Sequence, residues 1–238
     1  MTTQTEANET EKLLGLIRRE IELEQATLPE EYYYQSLPLC VIDAVFSIGV
    51  KYESVRNTVS KYCDHFGLKR QRTTEKHPAA HEQESIDSFV QKYEEIGVEA
   101  FAATIYQNRQ RTSTRNGILK AEAVYRFSKG LLEHGVHVLQ DVDKVIGDAA
   151  FEARIKAIPG QKSGISLVYF YMLAGEDEKI KPDRMIIRFL EKALQRQVKL
   201  EEAQHLLEAS ASILSAEYKH ITPRLLDYQI WNYTRAHL

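Results

Sequence analysis

Apolar residues recur along most of this chain at the three- and four-residue spacing of amphipathic helices, and no two-residue alternation rises above that pattern. The first stripe is Leu13, Leu14, Ile17 and Ile21. Asn8 and Glu11 precede it in the arrangement of a capping box, so a helix is expected from about Asn8 to Gln25. Thr27 to Gln35, with Pro29 and three consecutive tyrosines (Tyr32, Tyr33, Tyr34), interrupts the stripe and reads as a link. These tyrosines are expected to roof the core rather than stack on bases. Ser36 should cap the next helix, SLPLCVIDAVFSIGV, which is apolar on nearly every face with Asp43 as its charge. Such a helix belongs in the middle of a fold. Val55, Val59, Tyr62 and Phe66 then form a stripe that stops at Gly67.

Leu68 to Gln83 has no apolar period and contains Pro78, so it reads as a mobile loop. Ser85 opens a helix through Ile86, Phe89, Val90, Tyr93 and Ile96, and a short helix after Gly97 carries Phe101, Ile105 and Tyr106. Asn108 to Gly117 offers no core residue. A helix from Ile118 to Glu133 follows, closed by Gly135, and Asp141 to Ala157 holds two short helical pieces. Ile165 to Leu173 is an apolar helical run in which Tyr169, Phe170 and Tyr171 are not all expected to face the core. The last helices carry Met185, Ile186, Phe189 and Leu190, then Leu200 to Tyr218, then Leu225, Leu226, Ile230 and Trp231 after a Thr222–Pro223 start. The expectation is an all-α fold of two interleaved helical lobes with a cleft between them over residues 36–238, preceded by an acidic helix and linker over 1–35.

With 238 residues, 43% apolar and 27% charged, the chain is long enough to bury a full core. It lacks the roughly 18-residue apolar run of a membrane span. Met1 to Gln25 is too acidic and polar for a signal or transit peptide. A cytoplasmic monomer is therefore expected, away from membranes and, if bacterial, associated with the nucleoid. The net charge of −3 is uneven: residues 1–35 hold eight Glu against Lys12, Arg18 and Arg19, leaving +2 on the remainder. Basic residues cluster in two loops, one with Lys69, Arg70, Arg72 and Lys76 and one with Arg109, Arg111 and Arg115. Cys40 and Cys63 sit in apolar helical contexts and read as buried free thiols. His65, His77 and His81 read as solvated histidines rather than metal ligands.

The candidate chemistry lies between Ile158 and Leu190. Ile158-Pro159-Gly160-Gln161-Lys162-Ser163-Gly164 forms a two-glycine turn that runs into the apolar helix, and such a turn bares backbone N–H groups to an anion at a helix N-terminus. Nineteen residues beyond Gly164, Lys181-Pro182-Asp183-Arg184 opens another helix with Asp183 at its cap. This pairing resembles the helix-hairpin-helix DNA glycosylase superfamily, in a divergent form. Ile118-Leu119-Lys120-Ala121 is similar to the Lys-Ala helix that follows that superfamily's own DNA-facing loop.

The resemblance implies double-stranded DNA as partner, with contacts from Gly160, Gln161, Lys162, Ser163 and Gly164 and from Arg109, Arg111, Arg115 and Lys120, and Asp183 as the catalytic carboxylate of a base-excising hydrolase. Where bifunctional members place a Schiff-base lysine this chain has Gly164, so lyase activity is not expected. Where many members place a gap-filling Gln it has Gly49. Two cysteines exclude the four-cysteine iron–sulfur cluster of some members, so no cofactor is expected beyond a monovalent cation at the hairpin. The implied function is a monofunctional DNA N-glycosylase. The alternatives are a non-catalytic DNA-binding relative and a helical interaction protein.

Overall fold

The computed structural model describes residues 2–237, with side chains from Ala7 onward. Helices occupy Thr2–Glu20 (α1), Leu37–Phe46 (α2), Tyr52–Phe66 (α3), Ile86–Ile96 (α4), Val98–Ala100 (α5), Lys120–Glu133 (α6), Ala149–Lys156 (α7), Ile165–Ala174 (α8), Arg184–Leu194 (α9), Leu200–Glu217 (α10) and Pro223–His237 (α11). Single 3-10 turns lie at Glu30–Tyr32, Ala80–Glu82 and Leu139–Lys144, and a π turn at Phe101–Ile105. The fold is all-α: among the described residues no strand forms, only the isolated antiparallel pairs Tyr34·Gln71 and Arg111·Leu119. None of the helices among these residues is long and apolar enough to cross a membrane.

The chain divides into two compact units, Glu30–Gly175 and a discontinuous one made of Met1–Pro29 with Glu176–Leu238. In the contiguous unit α2 is the hub. All ten of its residues are buried, and it packs on α3, α6 and α8. Burying a large aliphatic side chain contributes about 1.5–3 kcal/mol, so a helix apolar on every face is stable only where other helices surround it. Asp43 survives in that setting because Tyr34 Oη (2.7 Å) and Tyr52 Oη (3.2 Å) donate to its Oδ2. Tyr62, Phe89, Tyr93, Phe101 and Tyr106 form a second packed group, with the Tyr93 and Phe101 rings stacked 3.7 Å apart.

The discontinuous unit joins the first helix to the last three. Leu13, Leu14, Ile17 and Ile21 share one core with Ile186, Phe189, Leu190, Leu207 and Leu226. The acidic N-terminal helix is thus a core element here rather than a segment set apart. Its surface charges are paired within the unit: Glu9 with Arg196 at 2.7 Å, and Arg18 with Glu217.

Several local expectations changed. Helix α1 begins at Thr2, so Asn8 and Glu11 lie inside it rather than at its start, and it ends at Glu20. Ser36 stands at the N-cap position of α2 without a side-chain capping bond. Gly67 in the left-handed region (φ 64°) ends α3, and Thr222 Oγ1 accepts the Leu225 N–H at 3.2 Å ahead of Pro223, both as the sequence reads. Tyr169, Phe170 and Tyr171 are all buried. The central position of α8, packed on α2, removes the exposed face on which one of them would have stood. His65 lies in α3, and His77 Nε2 lies 3.0 Å from Ala174 O, which ties the 68–83 segment to the end of α8.

Candidate functional site

The glycine turn read from the sequence as a hairpin joins α7 to α8. Asp148 caps α7, its Oδ1 accepting the N–H groups of Ala150 (2.8 Å) and Phe151 (3.1 Å). The chain then reverses through Ile158–Gly164, with Gln161 N donating to Ile158 O at 2.9 Å and Gly164 N to Gln161 O at 3.0 Å. Gly160 (φ 87°) and Gly164 (φ 74°) both occupy the left-handed region, where a Cβ is strained. At the N-cap of α8, Gly164 offers no side chain to the first turn. Ser163 Oγ approaches Ile165 N only to 3.5 Å. The N-cap residue of α8 therefore supplies no capping side chain, and the first N–H group has only this long bond to a hydroxyl.

The turn's side chains divide into two sets. Lys162 and Ser163 are exposed, and Lys162 makes no ion pair among the described residues. Gln161 is 1% exposed and accepts from Ser166 Oγ through its Oε1, so it braces the turn against α8 instead of facing a ligand. Gly164 is buried, and a Cβ there would sit 2.9 Å from Lys156 Cε; that lysine pairs with Glu152 at 2.8 Å.

The second loop meets the first. Arg111 and Leu119 pair across its base, with Thr112 N donating to Ile118 O (2.9 Å) and Lys120 N to Gln110 O (2.8 Å). This clamp brings Thr112 so close to Gly160 that a Cβ on Gly160 would fall 2.4 Å from Thr112 Cβ. The two stretches singled out for DNA contact therefore meet at Gly160 and Thr112 within the contiguous unit. Thr112 Oγ1, Gln110 Oε1 and Gln161 Nε2 are buried around this junction without hydrogen-bond partners.

The loop's cations have distinct fates. Arg109 pairs with Glu99 at 2.6 Å on an open surface. Arg111 donates through Nη1 to Gly117 O at 2.7 Å and so closes the loop. Arg115 is exposed and makes no ion pair among the described residues. Lys120, read from the sequence as a DNA contact, is 2% exposed, and its Nζ donates to Phe46 O (2.8 Å) and Ile48 O (2.7 Å). It caps the carbonyl end of α2 from inside the core, where burial pushes its ammonium down to about 8. The 69–76 loop is likewise engaged internally: Arg72 is buried and donates to Tyr34 O at 2.6 Å, and Arg70 donates to Ser60 Oγ at 2.7 Å.

Gly49 is exposed in the left-handed region (φ 69°), with nothing near its Cα that a side chain would touch. Close by, a polar groove of about 320 Å³ is lined by residues that include Lys51, Asn57, Lys61, Gln107 and Asn108. Asn108 Nδ2 donates to Thr58 Oγ1 at 3.0 Å and fixes one wall of it. Cys40 and Cys63 are buried free thiols, pushed up to about 12 by burial. No group of three or more His, Cys, Asp or Glu among the described residues could hold a metal ion.

Asp183 belongs to the discontinuous unit. It is the N-cap of α9, and its Oδ1 accepts the N–H groups of Met185 (2.7 Å) and Ile186 (3.3 Å). It is half-buried. The residue that sequence reasoning missed is Asp227, buried on α11, whose Oδ1 accepts the Lys181 backbone N–H at 2.9 Å. Burial and the nearby Asp183 charge push the Asp227 carboxyl well above the usual carboxylate range. A signal was present: Asp227 stands three residues before Ile230 and seven before Thr234, on the apolar stripe of its helix, where an acid is out of place.

No curated protein and no solved structure matches this chain. A family profile matches residues 11–235, spanning parts of both units. The chain belongs to the family described as Domain of unknown function (DUF8548).

Proposed function

We propose that this protein binds double-stranded DNA through the α7–α8 hairpin and excises a base as a monofunctional DNA N-glycosylase, with Asp183 as its catalytic carboxylate. The observation that carries this reading is the hairpin turn. Two left-handed glycines open an apolar helix whose N-cap residue has no side chain and whose first N–H meets only a long bond to Ser163 Oγ, and the next helix, after a short segment, is capped by Asp183. N–H groups so weakly capped, beside the exposed Lys162 and Ser163, suit a phosphate, and the close approach of Gly160 to Thr112 extends the same surface toward Arg115.

Excision breaks the bond between C1′ and the base nitrogen. The electron pair leaves with the base, and a positively charged, oxocarbenium-like sugar develops. The Asp183 carboxyl accepts two backbone N–H groups at a helix N-terminus, which fixes its orientation and suits it to stabilise that charge while water adds to C1′ and the water's proton passes to the departing base. Lys120 is buried and Gly164 has no side chain, so neither supplies an amine for a covalent route.

The capping bonds to Met185 and Ile186 favour a second reading, a DNA binder in which Asp183 only caps α9. A panel of lesion-bearing duplexes separates the two. Release of a free base by the wild-type protein supports the glycosylase; salt-dependent binding without release supports the binder; neither binding nor release removes both.

A further inference from the structure

The segment from Glu176 to Pro182, which delivers the chain to Asp183, is held at two points by α11. Near its start, Arg224 Nη2 pairs with Asp177 Oδ1 at 2.8 Å, and the Arg224 N–H donates to Asp177 O at 3.0 Å. Thr222 Oγ1 donates to the same carboxylate at 3.4 Å. Near its end, the buried Asp227 accepts the Lys181 N–H, and Lys181 O accepts the Asp183 N–H at 2.7 Å. Two consecutive hydrogen bonds therefore connect the Asp227 carboxyl to the backbone of Asp183 through a three-residue turn.

We propose that Asp227 is a positioning residue for Asp183: its buried carboxyl accepts the Lys181 N–H and fixes the Lys181–Asp183 turn, so that the two aspartates form a linked pair. The catalytic part of this statement rests on the function proposed above; the pair itself does not. Two neighbouring carboxyls in a partly desolvated place cannot both ionise cheaply, and the less solvated one keeps the proton. Asp227 is 3% exposed, while Asp183 is half-buried with two N–H groups on its Oδ1, so Asp227 is the one that holds its proton more tightly. The charged groups acting on Asp227 from the 176–183 segment are Asp183, which opposes its ionisation, and Lys181, which favours it. On its own helix, Arg224 is engaged with Asp177.

The pair sets a pH dependence of definite sign. The folded protein holds the Asp227 proton more tightly than the unfolded chain does. The resulting stabilisation is complete below the ordinary carboxylate range and is lost as pH rises through the raised value. Asn at this position still accepts from Lys181 and has no proton to lose, so Asp227→Asn should gain on the wild type in melting temperature as pH increases.

The decisive measurement is a carboxyl ¹³C titration of the full chain, selectively labelled at aspartate, in wild type, Asp227→Asn and Asp183→Asn. The expected result is one aspartate titrating far above the others, absent in Asp227→Asn and moved down by about one pH unit or more in Asp183→Asn. Persistence of the high-titrating signal in Asp227→Asn, or its indifference to Asp183→Asn, overturns the pair. Should a lesion be excised, kcat/KM of the wild type should fall on the alkaline side and that of Asp227→Asn should not. Should none be excised, Asp183 loses its catalytic reading, while the pair, measured without substrate, stands or falls on the titrations.

Discussion

The two turns at the centre of this reading solve the same problem in opposite ways. Each delivers a chain into a helix whose first N–H groups need partners. Before α9 the partner is internal: Asp183 folds back onto Met185 and Ile186. Before α8 the chain places a glycine where such a side chain would stand, and the turn is held instead by Gln161 against Ser166 and, from outside, by Thr112 against Gly160. A self-capped helix already holds an anion of its own, whereas an uncapped one behind a glycine turn is open to an anion from elsewhere. Both turns aim backbone N–H donors at an anion: at α9 the chain supplies its own carboxylate, whereas at α8, on the function proposed, the anion would be a phosphate of the ligand.

The largest effect expected from breaking this contrast is at Asp183. Asn keeps the shape and the cap, so Asp183→Asn should leave the melting temperature within a few degrees while slowing excision by about 100-fold or more in single-turnover assays. Excision at the wild-type rate would reduce Asp183 to a cap. Next in size is Gly160→Ala, which meets both a left-handed backbone and Thr112 Cβ at 2.4 Å. A loss of about 1–3 kcal/mol in urea unfolding is expected, accompanied by weaker DNA binding. If binding is unchanged despite that loss, the hairpin and the 108–117 loop do not act as one surface.

A smaller effect is expected at Lys162, the exposed cation of the open turn. Lys162→Glu should weaken binding to all duplex sequences alike and flatten the salt dependence by about one counterion, with unfolding unaffected. An unaltered slope would take the hairpin out of the interface. The smallest is an expected absence: borohydride should trap no protein–DNA adduct, because the turn presents Gly164 where a Schiff-base lysine would stand. An adduct that persisted after replacement of Lys162 would locate a nucleophile elsewhere in the chain.

The amino-acid sequence alone determined the all-α class, the order of the helices and several of their ends. Gly67 closing α3, Thr222 with Pro223 opening α11 and Asp183 capping α9 were legible because capping and amphipathic periodicity are properties of residues three or four positions apart. Where the local signal was ambiguous it misled: Asn8 and Glu11 look like a start, yet α1 runs through them from Thr2.

Only the tertiary structure decided which polar residues face water. Lys120 and Arg111 read alike in sequence as DNA-contacting cations, but one reaches across 74 residues to Phe46 O and the other closes its own loop on Gly117. Gln161 and Lys162 are adjacent in the hairpin, and one is buried while the other is exposed. Asp227 becomes important through Lys181, 46 residues away, and α1 finds its core among helices at the other end of the chain. Burial of a polar group depends on which partners the whole fold brings to it. A pattern of near neighbours along the chain carries no information about partners that distant.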